Sequence, residues 1–137
     1  MKIGFTGTQK GMTKAQKAMV TGLLYTEQIE IAHHGGCIGA DTEFDDICYR
    51  KLPRAVIIII HPSNIKAKQG RCHMAMYLRE EKEPLVRNHD IVDGCDIVIA
   101  CPHESFEIIR SGTWATIRYA RKVGKKVIVV YPDGRIE

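Results

Sequence analysis

With 137 residues, 45% apolar and 26% charged, the chain has the makeup of one ordinary globular domain, 1–137, large enough to bury roughly two-thirds of its unfolded surface. No segment approaches the ~20 apolar residues of a bilayer span, and a net charge of +4 falls short of a dedicated nucleic-acid binder while favouring a small anionic ligand. Cys37, Cys48, Cys72, Cys95 and Cys101 are odd in number and hold no C-x-x-C pair, which argues against a disulfide framework and against a structural zinc site.

The opening Met1-Lys2-Ile3-Gly4 runs straight into a strand and lacks the features of a secretory signal, so a cytoplasmic protein with no membrane partner is expected. The first strand, Lys2 to Gly7, stops at glycine. Thr13 then caps a helix whose Ala15, Ala18, Met19, Gly22 and Leu23 share one face. Ile29 to His33 forms the next strand, broken by Gly35-Gly36. A helix from about Ala40 follows, with Phe44, Ile47, Cys48 and Leu52 on a buried stripe.

Ala55 to Ile60 is a continuous β-branched run, which suits a strand covered on both faces, and Pro62 ends it. Ser63 to Pro84 is polar and basic, with a weak helical rhythm around Met74, Tyr77 and Leu78, and is placed to act as a lid. Leu85 to Gly94 reads as a helix, Asp96 to Ala100 as a fourth strand, Gly112 to Val123 as a helix and Lys126 to Tyr131 as a fifth strand. Repeated β-α-β units imply right-handed crossovers and an α/β fold with a parallel sheet of about five strands.

Small-residue clusters follow the strands or open the helices, and in an α/β sheet they gather along the carboxyl edge, where backbone N–H groups and helix N-termini can hold phosphate. The first is Gly7-Thr8-Gln9-Lys10-Gly11, which is neither a full G-x-G-x-x-G fingerprint nor a Walker A loop. The second is Gly35-Gly36-Cys37-Ile38-Gly39-Ala40-Asp41. Three glycines in five residues suggest backbone bared to an anion, with Asp41 either capping its helix or accepting from a sugar hydroxyl. Of His33 and His34, which point to opposite faces, at most one is expected to reach a ligand.

Arg87-Asn88 precedes a helix. The arginine suits bidentate contact with phosphate, or alternatively a surface ion pair with Glu80, Glu81 or Glu83, and Asn88 is a candidate cap. Ser111-Gly112-Thr113 opens another helix and forms a second anion cradle or a plain cap, with Trp114 beside it as core or as a stacking surface. No metal site and no cofactor is expected.

These motifs make the chain resemble the SLOG superfamily of Rossmann-like domains, which includes DNA-processing protein A and the Lonely Guy enzymes, with the small YspA-like branch the nearest in pattern. The resemblance rests on Gly4-x-Thr6-Gly7-Thr8, His34-Gly35-Gly36-Cys37-x-Gly39-Ala40-Asp41, His61-Pro62, Arg87-Asn88-x-x-Ile91, and Ser111-Gly112-Thr113 with Ala120. It implies a three-layer α/β/α domain with strand order 3-2-1-4-5, counting the predicted strands along the chain. It also implies a nucleotide-type ligand held by Gly7, Thr8, Gln9, Gly35, Gly36, Gly39, Asp41, Arg87, Asn88, Ser111, Gly112 and Thr113, beside Cys37 of the second loop. The Lonely Guy signature P-G-G-x-G-T-x-x-E is absent: the segment reads Ser111-Gly112-Thr113-Trp114-Ala115-Thr116, without its glutamate.

The leading expectation is therefore a module that senses or sequesters a nucleotide-derived small molecule. An enzyme cleaving a nucleotide, with Asp41, Asp90 or Glu107 as its acid or nucleophile, is the alternative. Helix-start placement is expected to keep the Asp41 pKa low. Single-stranded DNA binding along Lys10, Lys14, Lys66, Lys68, Arg71 and Arg87 is a third class, and a structural role in a homo-oligomer a fourth.

Overall fold

The protein is described from a computed structural model that covers residues 1–73 and 77–137. Strands β1 (Lys2–Gly7), β2 (Ile31–His34), β3 (Ile57–Ile60), β4 (Tyr77–Leu78), β5 (Ile97–Cys101) and β6 (Lys126–Val129) alternate with helices α1 (Lys14–Thr26), α2 (Ala40–Lys51), α3 (Pro84–Asp93) and α4 (Gly112–Lys122). The strands form one parallel sheet in the order β4-β3-β2-β1-β5-β6. This is a Rossmann-like α/β fold in which the five expected strands keep their expected order.

The sixth strand corrects the sequence reading. Tyr77 and Leu78, taken for part of a helical rhythm, instead pair with Ile59 and Ile60. The outer edge of β3 carries backbone donors and acceptors that need partners, and Arg79 N–H extends the pairing by donating to the Ile60 carbonyl. Met74, the third residue of that rhythm, lies outside the described residues.

Period-two alternation divides the core into two layers. Ile3 and Phe5 of β1 and Ile99 and Cys101 of β5 pack beneath α1 and α2, through Val20, Leu24, Phe44 and Cys48. Val98 points to the other face and meets Val92, Cys95 and Ala120 from the α3 and α4 side. Every residue of β5 is buried, which explains its uninterrupted apolar run.

Thr13 caps α1 as expected, in a capping box: Gln16 N–H donates to Thr13 Oγ1 (3.1 Å) and Thr13 N–H to Gln16 Oε1 (3.0 Å). The buried face of α1 differs from the expected one. Ala18 and Gly22 are exposed, Met19 and Leu23 pack partly buried against the core as expected, and Gln16, Val20 and Leu24 lie deepest. Val20 and Leu24 offer more apolar surface than the small residues. Gln16 tolerates burial because its amide donates to the Pro102 and Val130 carbonyls at 2.8 and 2.9 Å.

The stretch between β3 and α3 is strapped to the body at several points. Ile38 N–H donates to Lys68 O and Gly70 N–H to Gly36 O. His73 bonds Asp46 and stacks on Tyr49 with ring centroids 3.9 Å apart, and Lys66 pairs with Glu81. Ser63 to Pro84 is thus held down in its described part, and Lys68 is fixed against the loop after β2. No helix among the described residues is long and apolar enough to cross a membrane.

Phe5 and Phe44, both fully buried, stack with centroids 4.3 Å apart and tie β1 to α2 directly beneath the loops at the carboxyl edge. Phe44→Ala is expected to cost about 3–5 kcal/mol, read as a lowered urea midpoint with the denaturant slope unchanged.

Candidate functional site

The chain builds β2, β3 and β4 outward on one side of β1, then returns to place β5 on its other side. At that reversal the loops leaving β1 and β5 diverge and open a crevice at the carboxyl ends of the strands. A cleft of about 420 Å³ lies there. Its walls include Gly7, Thr8, Gln9 and Lys10 after β1, Cys37 and Asp41 after β2, Arg87 and Asn88 from α3, and Ser111, Gly112 and Thr113 at the start of α4. Ten of the residues expected from the sequence are therefore brought together.

Gly35, Gly36 and Gly39 do not line this cleft. Their loop's amides are directed inward. Gly36 N–H donates to His34 Nδ1 (3.0 Å), Cys37 N–H to Asp41 Oδ2 (3.1 Å), Ile38 N–H to Lys68 O (2.9 Å) and Ala40 N–H to Thr8 O (2.9 Å). Bare donors for an anion are not what the glycines provide there; they provide close approach. Gly39 has φ +88°, and a Cβ on it would overlap the Gln9 backbone, so the loops after β1 and β2 interlock at that point. A Cβ on Gly35 would come within 2.8 Å of both Arg87 Cζ and Asp41 Oδ2.

Arg87 and Asn88 sit one turn inside α3, which begins at Pro84 after Glu83, so Asn88 is not a cap. Arg87 is not on the surface and has no glutamate partner: it is 6% exposed. Its Nη1 donates to the Gly35 and His61 carbonyls (3.0 and 3.1 Å) and its Nη2 to Cys37 Sγ (2.9 Å). Burial and the neighbouring Asp41 push the Cys37 thiol up, so the sulfur stays protonated as an acceptor for the guanidinium.

Asp41 overturns the low pKa expected from its place at a helix start. Burial raises the carboxyl above its ordinary range, against the opposing pull of the Arg87 guanidinium. Asp41 Oδ1 and Arg87 Nε are both buried without a hydrogen-bond partner among the described residues. Both residues wall the cleft, but these two atoms are themselves enclosed by protein.

Ser111 caps α4 by accepting from Trp114 N–H (3.2 Å), which engages its hydroxyl. The first-turn N–H groups of Gly112 and Thr113 have no intrahelical acceptor and carry the positive end of the helix dipole. A Cβ on Gly112 would meet nothing within 4 Å, so open space adjoins that position. Around it stand His103, Glu104 and Arg110 from the loop after β5, which sequence reasoning did not assign to the site, together with Lys10, offered by the first loop's cluster, and Lys68, named from the sequence only for a nucleic-acid track. The signal for the first three was a loop rich in chemistry-bearing residues at the carboxyl end of a fully buried strand.

Two other candidate acids are elsewhere. Asp90 pairs with Lys82 at 2.8 Å and Glu107 with Arg118 at 3.0 Å, and neither lines the cleft. Trp114 is core, beside Ala100, Ile117 and Tyr131.

Both histidines that end β2 are buried. His34 Nδ1 receives the Gly36 N–H, so the ring is neutral, with its proton on Nε2, which donates to Asp45 Oδ1 at 2.8 Å. Cys72 brings its sulfur within 4.8 Å of the His34 and Asp45 ligand atoms, but the Nε2 lone pair that a metal ion needs is occupied by that proton. His33 Nδ1 lies 2.8 Å from His61 Nε2 beside a second, more open depression of about 520 Å³. Burial lowers both of these rings to a pKa of about 4, with nearby Arg79 adding to the effect.

Below pH 6.5 the unfolded chain protonates these two histidines while the folded chain resists until about pH 4. Stability is therefore full above 6.5 and falls as the pH drops through that window. Denaturation midpoints measured between pH 7 and 4 are expected to decline, and His61→Gln, which keeps an N–H for His33, is expected to flatten the decline.

No family model and no curated protein matches this chain. Among solved structures it is similar to the X-ray structure of TM1055, a structural-genomics target, with a TM-score of 0.61 and 14% identity over 92% of this chain and 71% of that one. At that identity the likeness establishes the Rossmann-like fold.

Proposed function

We propose that the cleft binds a nucleotide or nucleotide-derived anion, and that the protein senses or sequesters that ligand. The observation that carries this reading is the position of the cleft at the chain reversal between β1 and β5, with the N-terminus of α4 and the cations Lys10, Lys68 and Arg110 at its walls. The SLOG resemblance of the sequence supports the same ligand class. Phosphate is held by the amides of Gly112 and Thr113 and by the flanking cations. Thr8, Gln9 and Asn88 add polar contacts, and Arg87 shapes the floor from beneath. A cytoplasmic setting fits the five unpaired thiols.

A panel of nucleotides is expected to raise the melting temperature, a ligand at a hundredfold its Kd adding about 2.7 kcal/mol. Indifference to a broad panel defeats the proposal. Gly112→Val adds a Cβ where nothing lies within 4 Å and is expected to abolish that shift while leaving the unliganded stability within about 1 kcal/mol.

A second reading is favoured by the raised pKa of Asp41, the direction that suits a general acid in cleaving a bond of the bound nucleotide. Asp41→Asn separates the two readings. Loss of product with binding retained supports hydrolysis, whereas no product from the unsubstituted protein supports sensing. The basic track proposed for single-stranded DNA is interrupted, since Arg87 is buried and Lys66 is paired with Glu81.

A further inference from the structure

The loop from Pro102 to Arg110 enters the cleft under unusual restraint for an irregular segment. At its start, the buried Gln16 amide holds the Pro102 carbonyl (2.8 Å). At its far end, Arg118 donates to the Ile108 and Ile109 carbonyls (3.4 and 3.0 Å) and pairs with Glu107. Between these anchors, the indole Nε1–H of the buried Trp114 donates to Glu104 Oε1 (3.2 Å). Glu104 is thereby fixed in the cleft wall by one carboxylate oxygen.

A fixed carboxylate is out of place in a cleft whose Lys10, Lys68, Arg87 and Arg110 suit an anion, unless the ligand also carries hydrogen-bond donors. A ligand made only of phosphates would be repelled by Glu104. One whose phosphates reach α4 and whose vicinal hydroxyls reach Glu104 satisfies both ends. Resting on the nucleotide reading above, we infer that Glu104 is a specificity residue that selects ligands bearing a free ribose diol, and that Trp114 is the positioning residue that aims it. Sugars phosphorylated or deoxygenated at those hydroxyls are rejected, the first by like charge and the second by leaving the carboxylate desolvated and unpaired.

Calorimetric titration of the full chain with ADP, 2′,3′-dideoxy-ADP and inorganic pyrophosphate tests this. The unsubstituted protein is expected to prefer ADP over the dideoxy compound by about tenfold or more, the scale of a hydrogen bond to a charged group. Glu104→Gln is expected to reduce that preference and Glu104→Ala to erase it, with pyrophosphate binding no weaker than before. Trp114→Phe, which removes the N–H and keeps the Glu104 charge, is expected to narrow the preference as well, and circular dichroism checks that each variant is folded. Equal binding of ADP and the dideoxy compound by the unsubstituted protein, or a preference that survives in Glu104→Ala, overturns the role of Glu104 while nucleotide binding stands. Failure of the unsubstituted protein to bind any of the three overturns the nucleotide reading, and this inference with it.

Discussion

One buried guanidinium organises the carboxyl edge of this protein. Arg87 reaches from α3 to the Gly35 carbonyl after β2, the His61 carbonyl after β3 and the Cys37 sulfur at the approach to α2. A charge in that position is tolerated because its Nη1 and Nη2 donors meet acceptors and because Asp41 lies close by. Without a side chain of this reach and fixed planarity, the loops after β2 and β3 would have no common partner on α3. The absence of a Cβ at Gly35 is what lets the guanidinium in.

From that knot the division of labour around the cleft follows. The loop after β2 turns its amides inward and becomes a rigid wall, interlocked at Gly39 with the backbone of the loop after β1. The basic side chains of Lys10, Lys68 and Arg110 also line the cleft, and the first turn of α4 forms another of its walls. The irregular loop after β5 is drawn into the same wall by contacts to Gln16, Trp114 and Arg118, so a loop is held with the precision usually provided by a helix or strand.

Several of the buried polar groups are members of short hydrogen-bonded chains. Gly36, His34 and Asp45 form one such chain, and His33 with His61 another. They join β2 to α2 and to the end of β3 through directional bonds, which stiffen the scaffold beneath the cleft.

The architecture was legible in the residues themselves because strand and helix periodicities are local: the apolar runs at Ile57–Ile60 and Ile97–Cys101, the Thr13 cap and the Ser111 cap each act within a few residues of chain. The two-residue strand at Tyr77–Leu78 was not, since it exists to complete the edge of β3 and carries no period of its own. Within the site, Thr8, Gln9, Asp41, Arg87 and Thr113 could be named from motif and spacing. Whether a glycine bares its amide or merely yields space, whether Asp41 holds or loses its proton, and whether Glu104 or Glu107 enters the cleft depend on groups tens of residues away. Local sequence thus determined which elements form and in what order they assemble. Tertiary structure alone decided the polarity of the site, because burial and hydrogen-bond partnership are properties of neighbours in space.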